Sequence, residues 1–297
     1  NLIFKNFTNN DFASKFKLND TSTFSVTQAL SFDNSTFDLS KLSSTKTGLT
    51  LPKEYNLYAF NNSKITATTF TNTKENAEFV LDNKSTFNAT SASFQSAKIS
   101  VQNEAEFTAD SLTLGEKSTI DLTNNAKITL TKDLQTQDLN LNLLNSSTFT
   151  GDIVSTEKMN LNLDKASKLN AKTLTSKGAS TINLNDKATL TLENALSSKD
   201  LTLTLKNESK FTANTLTASG VVNLKGDKNA TLTLDTLNLN GANTADLGGV
   251  KSTIGTLNLT QTSQANIGEN VSITTLKLTD STANLQNLNT NLPQSIT

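Results

Sequence analysis

Apolar residues in the middle of the chain alternate with polar ones in short runs, and the runs return on a fixed period. A signature of one small residue, any residue and one apolar residue places anchors at Ile65, Phe87, Phe107, Ile128, Phe149, Leu169, Leu190, Phe211 and Leu232. Successive intervals are 22, 20, 21, 21, 20, 21, 21 and 21 residues, a register that chance does not hold. Self-similarity on a fixed period of this length marks a stacked repeat.

The positions around each anchor divide the labour. Two before it stand Ser63, Ser85, Ala105, Ala126, Ser147, Ser167, Ala188, Ser209 and Ala230. Residues two apart share a strand face, so these point inward with the anchor, and their small size predicts a tight corner. Four before it stand Asn61, Asn83, Asn103, Asn124, Asn145, Lys165, Asp186, Asn207 and Lys228. Asn and Asp tolerate left-handed backbone and bond their own main chain, which predicts a bend there. Stacked Asn side chains can also form a rung-to-rung amide ladder.

A second apolar site follows about five residues after the anchor (Phe70, Leu112, Leu174, Leu216, Leu237). A third strand comes some 13 to 15 after it, as at Ile120 and Leu122 or Leu203 and Leu205. Alternation in such short runs reads as strand, and two Pro in the whole chain leave the ladder donors intact. The expected fold is therefore all-β: a right-handed single-stranded parallel β-helix, or β-solenoid, with three short strands per coil of about 21 residues. A leucine-rich horseshoe fits less well, because neither its longer Leu spacing nor a helical return segment is found.

The pattern divides the chain into three stretches. Residues 1–60 are expected to be atypical N-terminal coils or a cap, rich in Phe and carrying the signature only at Phe24 and Phe37. The interval from Phe37 to Ile65 is 28, seven over period, and the surplus is assigned to an inserted loop at 46–58. Residues 61–240 form the regular helix. Residues 241–297 form irregular coils of the same helix, with Gly248 and Gly249 inside the break and Ala265-Asn266-Ile267 and Ala283-Asn284-Leu285 as remnants of the signature.

Composition narrows the chemistry. His and Cys are absent and all 26 basic residues are Lys, so the common zinc, copper and iron sites and the His-dependent nucleophile triads cannot be built. A net charge of −1 without Arg gives no field or bidentate group for nucleic acid. No apolar run approaches the roughly 20 residues of a membrane span. A signal peptide, not present in the chain, is expected to have been removed, and the chain is expected to be a fragment. Acids are scattered, mostly one per bend, where a β-helix glycosidase or lyase would cluster them on neighbouring rungs. Neither enzyme activity nor a cofactor or metal is expected.

Recognition is the remaining possibility. The residue before each anchor points outward, and Lys64, Lys127, Lys168 and Lys210 are never on consecutive rungs. Like charges one strand apart would repel, so the spacing is what a solvated surface requires. It is also a sparse cationic row suited to acidic glycans. The surplus segment carries both tyrosines, so Lys53, Tyr55 and Tyr58 join the row as candidate partner-binding residues. The partner expected is a host-surface protein or glycan, or a second copy of the chain.

Coils of 21 residues, inward aliphatic stacks, Asn-rich bends and the lack of Cys resemble passenger domains of Gram-negative autotransporters (type V secretion). The Asn, Thr and Lys bias is similar to their adhesin-like and vacuolating-cytotoxin-like members. The resemblance covers residues 61–235 best and transfers no functional residue. It implies display at the cell surface or release from it, with adhesion or stalk function as the first expectation. A cytotoxin-like passenger that oligomerises on host membranes is the second, and a carbohydrate-active β-helix enzyme the third.

Overall fold

The computed structural model describes residues 56–284 apart from 74, 242–243, 248, 262 and 269, together with 293 and 295–297. Before residue 56 it describes the backbone of five strands, Leu2–Asn9, Lys15–Lys17, Phe24–Asp33, Thr36–Asp38 and Gly48–Leu51. The described residues contain strands, turns and bends and no helix. The strands stack in parallel as a β-solenoid whose turns are about 21 residues apart. The chain divides into two compact units, Asn1–Asp152 and Ile153–Thr297.

In the first unit the short strands Asn56–Phe60, Ala77–Leu81, Ala97–Gln102, Ser118–Thr123 and Leu139–Leu144 pair in succession. Between them run longer strands, Lys64–Asn72, Thr86–Phe94, Glu106–Leu114 and Lys127–Thr136, also in parallel register. Ile65 lies over Phe87, Phe87 over Phe107 and Phe107 over Ile128, so each anchor covers its equivalent one rung away. Five rings, Phe70, Phe79, Phe87, Phe94 and Phe107, form an aromatic core, edge-on for the most part, with Phe87 and Phe107 stacked at 4.7 Å. Such contacts add to the burial that drives the stack.

The second unit repeats the plan. Short strands Met159–Leu163, Ser180–Leu184, Leu201–Leu205 and Val222–Gly226 form one ladder. Long strands Lys168–Ser176, Thr189–Ser198, Lys210–Ala218, Thr231–Asn240, Lys251–Thr260 and Val271–Thr279 form the other.

Three short strands were expected per coil; the regular coils have two, one short and one long, and the long one turns a corner partway along. In Glu106–Leu114 the inward residues are Phe107, Ala109, Leu112 and Leu114, with Asp110 and Ser111 both outward. Two consecutive outward residues flip the phase of a period-2 strand, so the strand turns a corner there without ending. The ladder slips in register at this corner, between Ala109 and Leu112, where the next rung holds one residue more.

The bends follow the Asn positions more strictly than composition alone suggested. At eight of the nine bend positions not one residue but two in succession adopt left-handed backbone, as at Asn83 and Lys84 (φ 50° and 62°), Asn124 and Asn125 (57° and 61°) and Asp186 and Lys187 (46° and 66°); the ninth, Lys228, does not. Lys165 and Ala166 do the same at 50° and 60°, so the stack imposes the conformation on residues that rarely choose it. The N–H of the second residue donates to the next rung, as from Lys84 to the Asn103 carbonyl at 3.0 Å and from Lys187 to Asn207 at 2.9 Å. The chain then turns its small residue inward, and all nine of the corner Ser and Ala residues are completely buried.

Register relocates three features read from the sequence. Thr36–Asp38 pairs with Lys64–Thr66, and Gly48–Leu51 pairs with Thr69–Asn72. Ten positions separate Asp38 from Gly48 where three separate Thr66 from Thr69, so the seven surplus residues fall within 39–47 rather than across 46–58. Of the proposed loop, Gly48–Leu51 and Asn56–Tyr58 are strand. Phe24 belongs to the short-strand column, whereas Phe16 pairs with Phe37 and Phe37 with Ile65. The interval of 13 between Phe24 and Phe37 was thus a step between faces, not between rungs. Past residue 241 the long strands also keep register: Ser252 occupies the anchor column between Leu232 and Val271. Ala265-Asn266-Ile267 falls on a separate three-stranded ladder, Thr244–Asp246, Gln264–Asn266 and Thr282–Asn284, and Leu285 lies outside the described residues. Where that ladder replaces the short-strand column, Gly226 has no room for a Cβ, which would collide with the Leu205 carbonyl and with Val250.

Candidate functional site

With most apolar residues in the core, Val221 and Ile296 being the exposed large ones among the described residues, chemistry is left to the outward columns and the bends. In the first unit an amide ladder runs along the bends. Asn83 donates to Asn61 at 3.0 Å, Asn124 to Asn103 at 2.8 Å and Asn145 to Asn124 at 2.8 Å, while Asn103 reaches the Asp82 carboxylate at 2.7 Å. In the second unit Asn207 donates to both Asn185 and Asp186 at 2.8 Å. A shallow hollow at this bend is lined by Asp186, Lys187, Asn207, Glu208 and Asn229. Its polar groups engage one another, Lys187 lying 3.7 Å from Glu208. Next to it Asp227 accepts the backbone N–H groups of Asn207, Asn229 and Ala230, which hold its carboxyl below the usual carboxylate range. Among the described residues no group of three or more acidic residues could hold a metal ion. Among the described residues no helix is long and apolar enough to cross a membrane, which leaves strand-built membrane barrels untouched.

The sequence-derived candidates separate. Lys53 and Tyr55 lie outside the described residues. Tyr58 sits on the strand Asn56–Phe60, half-buried. Its hydroxyl donates to Glu78 at 2.6 Å and accepts from Asn56 at 3.1 Å, and its ring runs parallel to Phe60 at 6.3 Å. Burial first, then the Glu78 hydrogen bond and charge, raise the Tyr58 pKa above its ordinary value. Lys64 stands exposed opposite Thr86. Lys127 is exposed but tied to Glu106 on the adjacent rung at 2.9 Å. Lys168 and Lys210 are exposed on alternate rungs with Thr189 between them.

Two features had escaped the sequence reading. Lys251 stands in the same column, two rungs beyond Lys210 with Thr231 between. Its signal was hidden because the residue after it is Ser252, not an apolar anchor. The second is a polar column inside the far corner, with Ser155, Ser176 and Ser198 buried. Their hydroxyls bond the carbonyls of Lys158, of Glu157 and of Asp200, at 3.0, 3.0 and 2.7 Å. Buried hydroxyls with partners are structural, and their signal is a Ser or Thr six to eight residues after an anchor, which recurs too loosely to read without the fold.

No protein-family model, no curated protein and no solved structure matches the chain.

Proposed function

We propose that the chain is a non-enzymatic passenger, displayed on or released from a Gram-negative cell surface, that acts in adhesion to host cells, other bacteria or matrix, or forms the stalk of such an adhesin. The reading is carried by one observation: within each unit the outward columns present the same few hydroxyl, amide and ammonium groups rung after rung. A ligand that itself repeats can engage several rungs at once, so that individually weak contacts combine. The carboxylates are scattered, and several of them, Asp82, Asp121, Asp164 and Asp186 among them, are engaged by amides of the next rung, which favours this over hydrolysis of a glycan.

The test is saturable binding of the purified, labelled chain to host epithelial cells, matrix-coated plates and bacterial cells, with unlabelled chain as competitor. Competed binding to at least one surface is expected, without release of dye from liposomes. Dye release would replace the reading with a membrane-acting toxin, and cleavage of a polysaccharide panel would replace it with an enzyme.

A further inference from the structure

In the second unit the unpaired positive charge is organised. Register places Lys168, Thr189, Lys210, Thr231 and Lys251 in one outward column, so ammonium groups recur on every second rung, roughly 9–10 Å apart. All three lysines are exposed, and among the described residues none makes an ion pair. The column itself holds no acid. Carboxylates on the neighbouring bends have other partners: Asp186 takes the Asn207 amide, Glu208 faces Lys187, and Asp227 takes three backbone N–H groups. The first unit differs, because there Glu106 neutralises Lys127. Beside the lysines a second outward column, Thr191, Thr212, Thr233 and Thr253, runs exposed through the same rungs and offers hydroxyls.

We propose that Lys168, Lys210 and Lys251 form a docking track for a linear sulfated glycan, a proposal that rests on the adhesive reading and names its ligand. Charge decides the sign of the partner and spacing its kind. Duplex DNA carries a charge about every 1.7 Å of axis and would leave most phosphates unmatched. Single strands are held by stacking on aromatic rings, and these columns contain none. A bilayer surface calls for apolar side chains beside the cations, which are likewise missing here. A polysaccharide with sulfates recurring on the order of 10 Å meets one ammonium per repeat and threonine hydroxyls between.

The test uses the full chain and size-fractionated heparin oligosaccharides in 0.15 M salt, an ionic strength at which exposed charges are screened beyond about 8 Å. Thr already occupies the alternate rungs of the column, so K168T/K210T/K251T keeps the fold, which circular dichroism verifies. Binding weakened at least tenfold in that variant, within twofold of the parent in K98T/K225T, whose lysines are exposed on the short strands instead, and lost on desulfated heparin is expected. Unchanged affinity of the triple variant, or equal competition by duplex DNA, overturns the track. Cell adhesion by the parent chain without any heparin binding overturns the track and spares the adhesive reading; absence of both overturns both.

Discussion

The corner serines make opposite claims about the same substitution. Ser85 Oγ, fully buried, donates to the Asp82 carbonyl at 2.6 Å, and Ser63 makes the same bond to Phe60. Ser209 is equally buried, yet among the described residues its hydroxyl is the one buried side-chain polar atom without a partner. A paired hydroxyl contributes about 1 kcal/mol, whereas an unpaired buried one costs about 1–3 kcal/mol in lost hydration. Ala already fills this corner on the rungs before and after, at Ala188 and Ala230, so Ser209→Ala creates no strain. Ser209→Ala is expected to stabilise its rung by about 1 kcal/mol and Ser85→Ala to destabilise its own by about the same amount. Each rung touches only its neighbours, so the effect is local and is best read by amide hydrogen exchange. The Lys210 amide, bonded to the Ala188 carbonyl, should exchange about fivefold more slowly in Ser209→Ala. The Glu106 amide, bonded to the Ser85 carbonyl, should exchange about fivefold faster in Ser85→Ala. Loss of protection of equal size in both variants would refute the assignment of Ser209 as the unpaired corner.

Other outcomes follow from the bends, the core and the tyrosine. Asn124 has left-handed backbone and links two ladder bonds; Asn124→Ala is expected to cost about 1–2 kcal/mol, and Asn124→Gly less, in urea unfolding. Phe87 meets Phe70, Phe79 and Phe107 in the core, so Phe87→Ala should cost about 3–5 kcal/mol and lower the urea midpoint accordingly. In a Tyr55→Phe background, ultraviolet titration should find Tyr58 ionising above the ordinary tyrosine range, and Glu78→Gln should bring it back down by removing the neighbouring charge.

How far the fold could be read from residues alone depended on whether one position carries one task on every rung. The anchor, the small corner and the Asn bend each have a single physical duty, so Ile65 through Leu232 announced the period and the parallel stack. The same logic failed where a duty passed to another residue type. Ser252 holds the anchor column with its hydroxyl on the Val250 carbonyl at 3.1 Å, and with the apolar signal gone Lys251 could not be placed. Phe24 and Phe37 show the converse, two identical signatures on different faces. The two-residue left-handed bend was half visible, because its second member is Lys84, Glu104 or Ala166 as readily as Asn62 and so leaves no compositional mark. Of the candidate site, the cationic column could be foreseen on one strand face, and the anchor spacing already sets Glu106 and Lys127 on consecutive rungs; that the two close to an ion pair at 2.9 Å needed the side-chain placement.

The central claim, an in-register parallel stack with a period of about 21 residues, can be tested directly because the chain contains no Cys. Thr191 and Thr212 are paired across adjacent rungs, at a strand spacing of about 4.8 Å that a disulfide can bridge. Oxidation of T191C/T212C should close the bond nearly completely, while T191C/T202C, with its second cysteine on the short-strand face, should remain reduced. Efficient closure of T191C/T202C, or failure of T191C/T212C in a folded chain, would contradict the stack.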